Sequence, residues 1–300
     1  MADKPLFVRT WLVLLLGFIG IILIYEVFVF DADSTANSHK FSHLPEFALW
    51  LLLLGAQAVF FFIMIIPVWK EVLALKRAYD LGNPIEFCGS LLLFTFLFSL
   101  PSLLRYRLNI TWPLVGHEWK ILIVIVFGFI ISILSVIGIL LINRAFQKLS
   151  AEPEIKDDHI QLYCSLRSKL QFFLTVAGTL IGLATLGTGA LRKTMVAFDE
   201  HNEVSFSSAI ILAYGLYYTL VLALVYAPVY SCISQTGQVL LDKFFPQLLP
   251  KDEHWSERNS RRKEFEEYLQ LGLGTEQNFQ SHIAILAPLL SGIVSLLINK

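Results

Sequence analysis

Glu26, Gln57 and a stripe of small or hydroxylated residues, Gln171, Thr175, Gly178, Gly182, Thr185 and Gly189, stand out because they lie inside long apolar runs. A carboxylate in hydrocarbon is costly and usually marks a proton or ion pathway. Glu26, however, sits about three residues from the end of its run, where it can reach the headgroup layer. Neither a second carboxylate nor a histidine accompanies it near a midplane, which disfavours charge-coupled transport. Gln57 is suited to a hydrogen bond across helices. The stripe recurs at steps of four, three, four, three and four, so its members share one helix face, and Gly178 with Gly182 forms a small-xxx-small pair. Such a face either packs closely on another helix, within or between protomers, or lines a pore with Thr hydroxyls. Packing is the favoured reading, and a homo-oligomer through this fifth run is one form of it. Tyr214 and Tyr218 share a face of the sixth run, as do Tyr226 and Tyr230, and together with Tyr217 these phenols suit interhelical hydrogen bonds.

The loop residues carry less. His39 and His43, His117-Glu118, and Asp199-Glu200-His201 with Glu203 are the right atom types for a divalent cation. The first pair lies among loop-forming residues, so its i,i+4 spacing has little meaning there, and solvated loops are the expectation. His-Glu-x-x-His, Gly-x-Ser-x-Gly, a phosphate loop and Cys-x-x-Cys are all absent from the sequence. Gly187-Thr188-Gly189 lacks the third glycine of a dinucleotide turn. The residues therefore indicate no catalytic site, no cofactor and no metal. Cys88, Cys164 and Cys232 read as thiols on the cytoplasmic side, without a structural disulfide. Asn109-Ile110-Thr111 is a formal glycosylation acceptor, poorly placed near a membrane end.

The elements that must position these residues are six apolar runs, 11–30, 47–69, 87–104, 121–142, 170–191 and 207–230, each of roughly 18 to 24 residues. At about 1.5 Å per residue that is the length an α-helix needs to cross ~30 Å of hydrocarbon. The composition agrees, with 56% hydrophobic and 16% charged residues. Soluble chains carry roughly 25% charged residues. With the N-terminus inside, sixteen Lys and Arg fall in the inner segments. Six, Lys40, Arg105, Arg107, Lys120, Arg192 and Lys193, fall in the outer loops. The positive-inside rule therefore predicts a cytoplasmic N-terminus. Trp11, Trp50, Trp69, Trp112 and Trp119 lie near run boundaries, where indole rings prefer the headgroup layer. The first run follows Lys4 and Arg9 and precedes Ser34-Thr35-Ala36, but it is longer than a signal h-region and reads as an uncleaved anchor.

The predicted fold is an all-α polytopic transmembrane bundle over residues 1–230, with a small cytoplasmic helical cap over 231–282. An apolar tail at 283–300 is read as in-plane, re-entrant or a seventh span. The second run should continue as a helix to Gly82-Asn83-Pro84. Pro101 and Pro228 should kink or end their helices. Residues 31–46 read as irregular. In the cap, Val239 to Leu249 forms an amphipathic helix broken by Pro246 and Pro250, followed by a charged helix over 256–270. Arg258, Arg261, Arg262 and Lys263 on that helix are candidate contacts for a cytoplasmic protein partner. The loops are too short and too mixed in charge for nucleic acid, and the bilayer is the one certain partner. Three functional classes remain: a membrane assembly, scaffold or sensing component, favoured because no site chemistry is visible; a channel or uncoupled transporter lined by the fifth and sixth runs; and an intramembrane enzyme. A plasma or bacterial inner membrane is the expected location.

Overall fold

The computed structural model describes residues 6–29, 35–79, 84–104, 113–114, 116–152, 157–246, 255–271 and 276–298. Gly82-Asn83, Arg105, Arg107, the Asn109 acceptor, Trp112, Lys156 and Lys251 lie outside them, as do the side chains of Arg9, His117 and Glu118. Ten helices occur among the described residues: α1 (Leu6–Val29), α2 (Ala36–Ser42), α3 (Pro45–Ala78), α4 (Pro84–Leu104), α5 (His117–Ala151), α6 (Asp157–Phe198), α7 (Asn202–Ser205), α8 (Ser208–Phe244), α9 (Trp255–Tyr268) and α10 (Glu276–Ile298). No strand occurs among them. The protein is an all-helical bundle.

Six helices, α1, α3, α5, α6, α8 and α10, are long and apolar enough to cross a membrane, whereas the apolar part of α4 is shorter, Phe87–Pro101. Their outward faces carry the side chains that a watery surface excludes: Leu14, Phe18, Leu52, Leu92, Leu122, Leu220 and Leu290 are all exposed. A belt of this extent is solvated by lipid tails rather than water. At about 1.5 Å per residue, the 34 to 42 residues of α3, α5, α6 and α8 exceed the hydrocarbon thickness, so these four project beyond it.

The long helices alternate in direction. Gly17 and Gly20 of α1 pack on Val59 and Ala58, and Phe28 meets Trp50, which sets α1 antiparallel to α3. Pro101 near the end of α4 meets Tyr214 near the start of α8. Gln171 meets Gln280, Gly178 meets Ala284 and Gly182 meets Ser291, so α10 runs parallel to α6. Thr219 meets Leu289, Gly215 meets Pro288 and Gly292 meets Ile211, which makes α10 antiparallel to α8. The tail is thus not a separate appendage; it is wedged between α6 and α8 along their shared length. Consequently α10 ends at the pole that carries α2 and α7, opposite the pole where α1 begins. Glu276 to His282 extend the apolar residues 283–298 into a 23-residue helix.

Close approach explains the glycines. A β-carbon on Gly178 would lie 2.1 Å from the Ala284 carbonyl oxygen, and one on Gly215 would lie 2.6 Å from that of Pro288. Proline at 288 removes the N–H that would have bonded the Ala284 carbonyl four residues back. That oxygen is instead pressed against the Gly178 backbone, an arrangement suited to a Cα–H···O contact.

The same logic holds α4. Pro101 leaves the Leu97 carbonyl without its helical donor, and the Tyr217 hydroxyl donates to it at 2.7 Å. Tyr218 donates to the Phe98 carbonyl at 3.2 Å. The proline does not end the helix, and the one donor it removes is replaced by the Tyr217 phenol on α8. Pro228 likewise sits inside an unbroken α8. Tyr217→Phe should cost about 0.6–1.7 kcal/mol, and much less in a Pro101→Ala background, where the backbone N–H is restored. A double-mutant cycle of thermal unfolding in micelles measures that coupling; additive costs would refute the pairing.

Residues 231–244 continue α8 rather than starting a separate cap helix, and the break comes after Phe244, just before Pro246. Residues 31–46, read as irregular, contain α2 and the start of α3. Thr35 caps α2 by accepting from the Ser38 N–H, and Pro45 opens α3. Trp50 does not point outward. It is buried among Phe28, Phe41 and Phe47, with ring centroids 5.2, 6.4 and 5.7 Å away.

Candidate intramembrane cavity

Between α1, α3, α4, α5, α6 and α8, toward the α2–α7 pole, lies a cavity of about 220 Å³. Its wall is mostly apolar, with Phe28, Trp50, Leu54, Phe98, Ile121, Phe129, Leu180, Ile181 and Leu191 among its members. The polar members are Gln57, Ser132, Thr185, Thr188, Tyr214 and Tyr218. Among the described residues no Asp, Glu, Lys, Arg or His lines it.

The polar groups differ in how far their hydrogen bonds are used. Thr185 and Thr188 donate to the carbonyls of Ile181 and Ala184, each at 2.8 Å, which leaves their oxygens as acceptors. Tyr214 and Tyr218 direct their hydroxyls at α4. Gln57 is 6% exposed, and among the described residues no hydrogen bond satisfies its amide. Glycines make its room: a β-carbon at Gly187 would lie 3.9 Å from Oε1, and one at Gly128 would lie 4.0 Å from Nε2. A buried amide with two donors and an acceptor calls for a partner.

The stripe on the fifth run divides. Gly178 and Gly182 face α10, Gln171 donates to Gln280, Thr175 is exposed, Thr185 lines the cavity and Gly189 is buried. Glu26 is exposed on the outward face of α1 and has no ion-pair partner among the described residues. Sequence reasoning missed Ser132 and Thr188 as lining groups. Gly128 and Ser132 form a second small pair at i,i+4 on the fourth run, a signal that was available.

At the other pole, Arg167 donates to the Leu269 carbonyl at 2.6 Å, and Lys169 pairs with Glu71 at 2.8 Å. Arg262 is half-buried, donating to Asp242 at 2.6 Å and to the Phe245 carbonyl, so it ties α9 to the end of α8. Arg261 pairs with Glu257 one turn earlier, while Arg258 and Lys263 are exposed. At the α2–α7 pole, the Arg192 guanidinium donates to the Phe206 carbonyl at 2.6 Å. His201 donates from its ring and its backbone to Asp199, at 2.9 and 3.0 Å, holding that carboxyl below the usual carboxylate range.

No family model, curated protein or solved structure matches this chain. The functional reading therefore rests on the cavity and the surfaces around it.

Proposed function

We propose that this membrane protein is a sensing component that holds a small, neutral, mostly apolar molecule in the cavity, with a hydroxyl, carbonyl or amide of that molecule bonded to Gln57. The observation that carries this reading is the buried Gln57 amide, without a protein partner among the described residues, in an uncharged and otherwise greasy chamber. Sites for small molecules have this character, an apolar wall with a few polar groups that fix orientation. The alternative of a channel lined by the fifth and sixth runs is less well supported, because α10 fills the space at Gly178 and Gly182. In this reading the α9 pole faces the cytoplasm, as the positive charge predicts. Seven helices then cross the bilayer, and Arg258, Arg261 and Lys263 remain the residues offered to a cytoplasmic partner.

A diazirine-bearing medium-chain alcohol tests the cavity in membranes. Labelling is expected at α3 and α6 peptides that line it. Gln57→Leu should weaken binding several-fold, up to about tenfold for one lost hydrogen bond. Ala184→Trp, which fills the chamber, should abolish the labelling while the protein still unfolds cooperatively. Equal labelling of the Ala184→Trp variant, or labelling spread over the outward face of α1, would sink the proposal.

A further inference from the structure

α2 holds two imidazoles side by side on a helix that is fixed from below. Thr35 caps it, Ser38 donates to the Pro113 carbonyl at 2.8 Å, and Phe41 is buried against Phe47, Trp50 and Phe198. Lys40 is drawn aside over the Phe198 ring, 5.2 Å from its centroid. His39 lies in the last turn and His43 is the C-terminal cap residue, so the i,i+4 spacing does place both on one exposed face. Their ring centroids are 4.1 Å apart with planes at 81°, and the two Nε2 atoms are 3.0 Å apart.

Two neutral imidazoles in this arrangement either share one hydrogen bond or turn both lone pairs onto a metal ion. Coordination at about 2.0–2.1 Å with tetrahedral angles sets two ligand nitrogens about 3.3 Å apart. Small side-chain rotations open the pair by that amount, with no movement of α2. We propose that His39 and His43 form a two-imidazole site for a borderline divalent cation, Zn²⁺, Cu²⁺ or Ni²⁺, whose remaining positions are filled by water. Imidazole nitrogen selects these ions over Ca²⁺ and Mg²⁺, which take oxygen ligands. Among the described residues no group of three or more His, Cys, Asp and Glu side chains gathers to hold a metal. With these two ligands the site is open and exchangeable. A cation bound there clamps the end of α2, whose Phe41 packs on Trp50, a wall residue of the cavity. The site stands on its own geometry and does not depend on what the cavity holds.

The test uses the full chain in micelles, purified through a tag that contains no histidine. Calorimetric titration with Zn²⁺ is expected to show one saturable site. His39→Ala and His43→Ala should each weaken it at least tenfold, whereas His159→Ala and His201→Ala should leave it unchanged. Cu²⁺ added to the unaltered protein should give an electron paramagnetic resonance spectrum with hyperfine structure from two imidazole nitrogens, a readout independent of any variant. Zn²⁺ affinity that survives in the His39→Ala/His43→Ala double variant, or a copper spectrum with one coordinated imidazole or none, overturns the proposal.

Discussion

Gly178→Ala is expected to destabilise the protein by at least the roughly 3 kcal/mol at the top of the usual overpacking range. The added methyl group would lie 2.1 Å from the Ala284 carbonyl oxygen, with helix backbone on both sides of the contact. No side chain can rotate away. Relief requires α6 and α10 to part by more than an ångström, and that movement also loosens Gly182 from Ser291 and presses α10 onto α8 at the close Gly215–Pro288 contact. Gly55→Ala is the control, because a β-carbon there meets nothing within 4 Å. It should be neutral, or stabilising by up to about 1 kcal/mol, since alanine is the better helix former. Thermal unfolding of the two variants in the same micelles makes the comparison. If Gly178→Ala unfolds at the midpoint of the unaltered protein, α10 does not sit in the seam between α6 and α8.

Trp50→Ala should produce the second large loss, about 3–5 kcal/mol. Its indole is buried between Phe28, Phe41 and Phe47 and forms part of the cavity wall, so its removal enlarges an existing void that the neighbours cannot fill. Edge-on aromatic contacts add to that cost, since each is worth about 0.5–1.5 kcal/mol beyond burial. Trp50→Phe keeps most of the volume and some of the edge contacts, and it should recover more than half of the loss. Unfolding measurements on the two variants decide this. Equal destabilisation by Ala and Phe would mean that the indole N–H, rather than packing, governs the position. Because α2 leans on Trp50 through Phe41, the Ala variant should also expose α2 to faster hydrogen exchange.

Several features of the fold were legible because a membrane makes a strong demand on sequence. Each crossing helix needs a long unbroken stretch without charge, and such stretches are readable without knowing what they touch. The long extension of α3 was legible for the same reason, since no breaker intervenes between Trp69 and Ala78. Pro101 and Pro228 do not end their helices, and sequence could not say so, because a missing N–H is a local fact whereas its replacement is not. Pro101 stays within a helix thanks to Tyr217, and Tyr217 is more than a hundred residues away in the chain. α2 was hidden by the polarity of residues 31–46, although Thr35 followed three residues later by Ser38 was a usable start signal. Arg262 looked like one of a cluster of free cations until Asp242 and the Phe245 carbonyl were seen to occupy it. The cavity was illegible for a plainer reason: a void is set by which side chains fail to meet, and no single run encodes that.

By itself the sequence determined the solvent of this protein and its helical architecture, because the transfer of apolar residues out of water is summed along each segment and needs no partner. It also marked Gln57 and the Gly178–Gly182 pair as exceptional. Only the tertiary structure decided what those exceptions do. Close approach and hydrogen-bond satisfaction depend on atoms brought together from distant segments, and so α10 claimed the glycines while Gln57 was left facing an uncharged cavity.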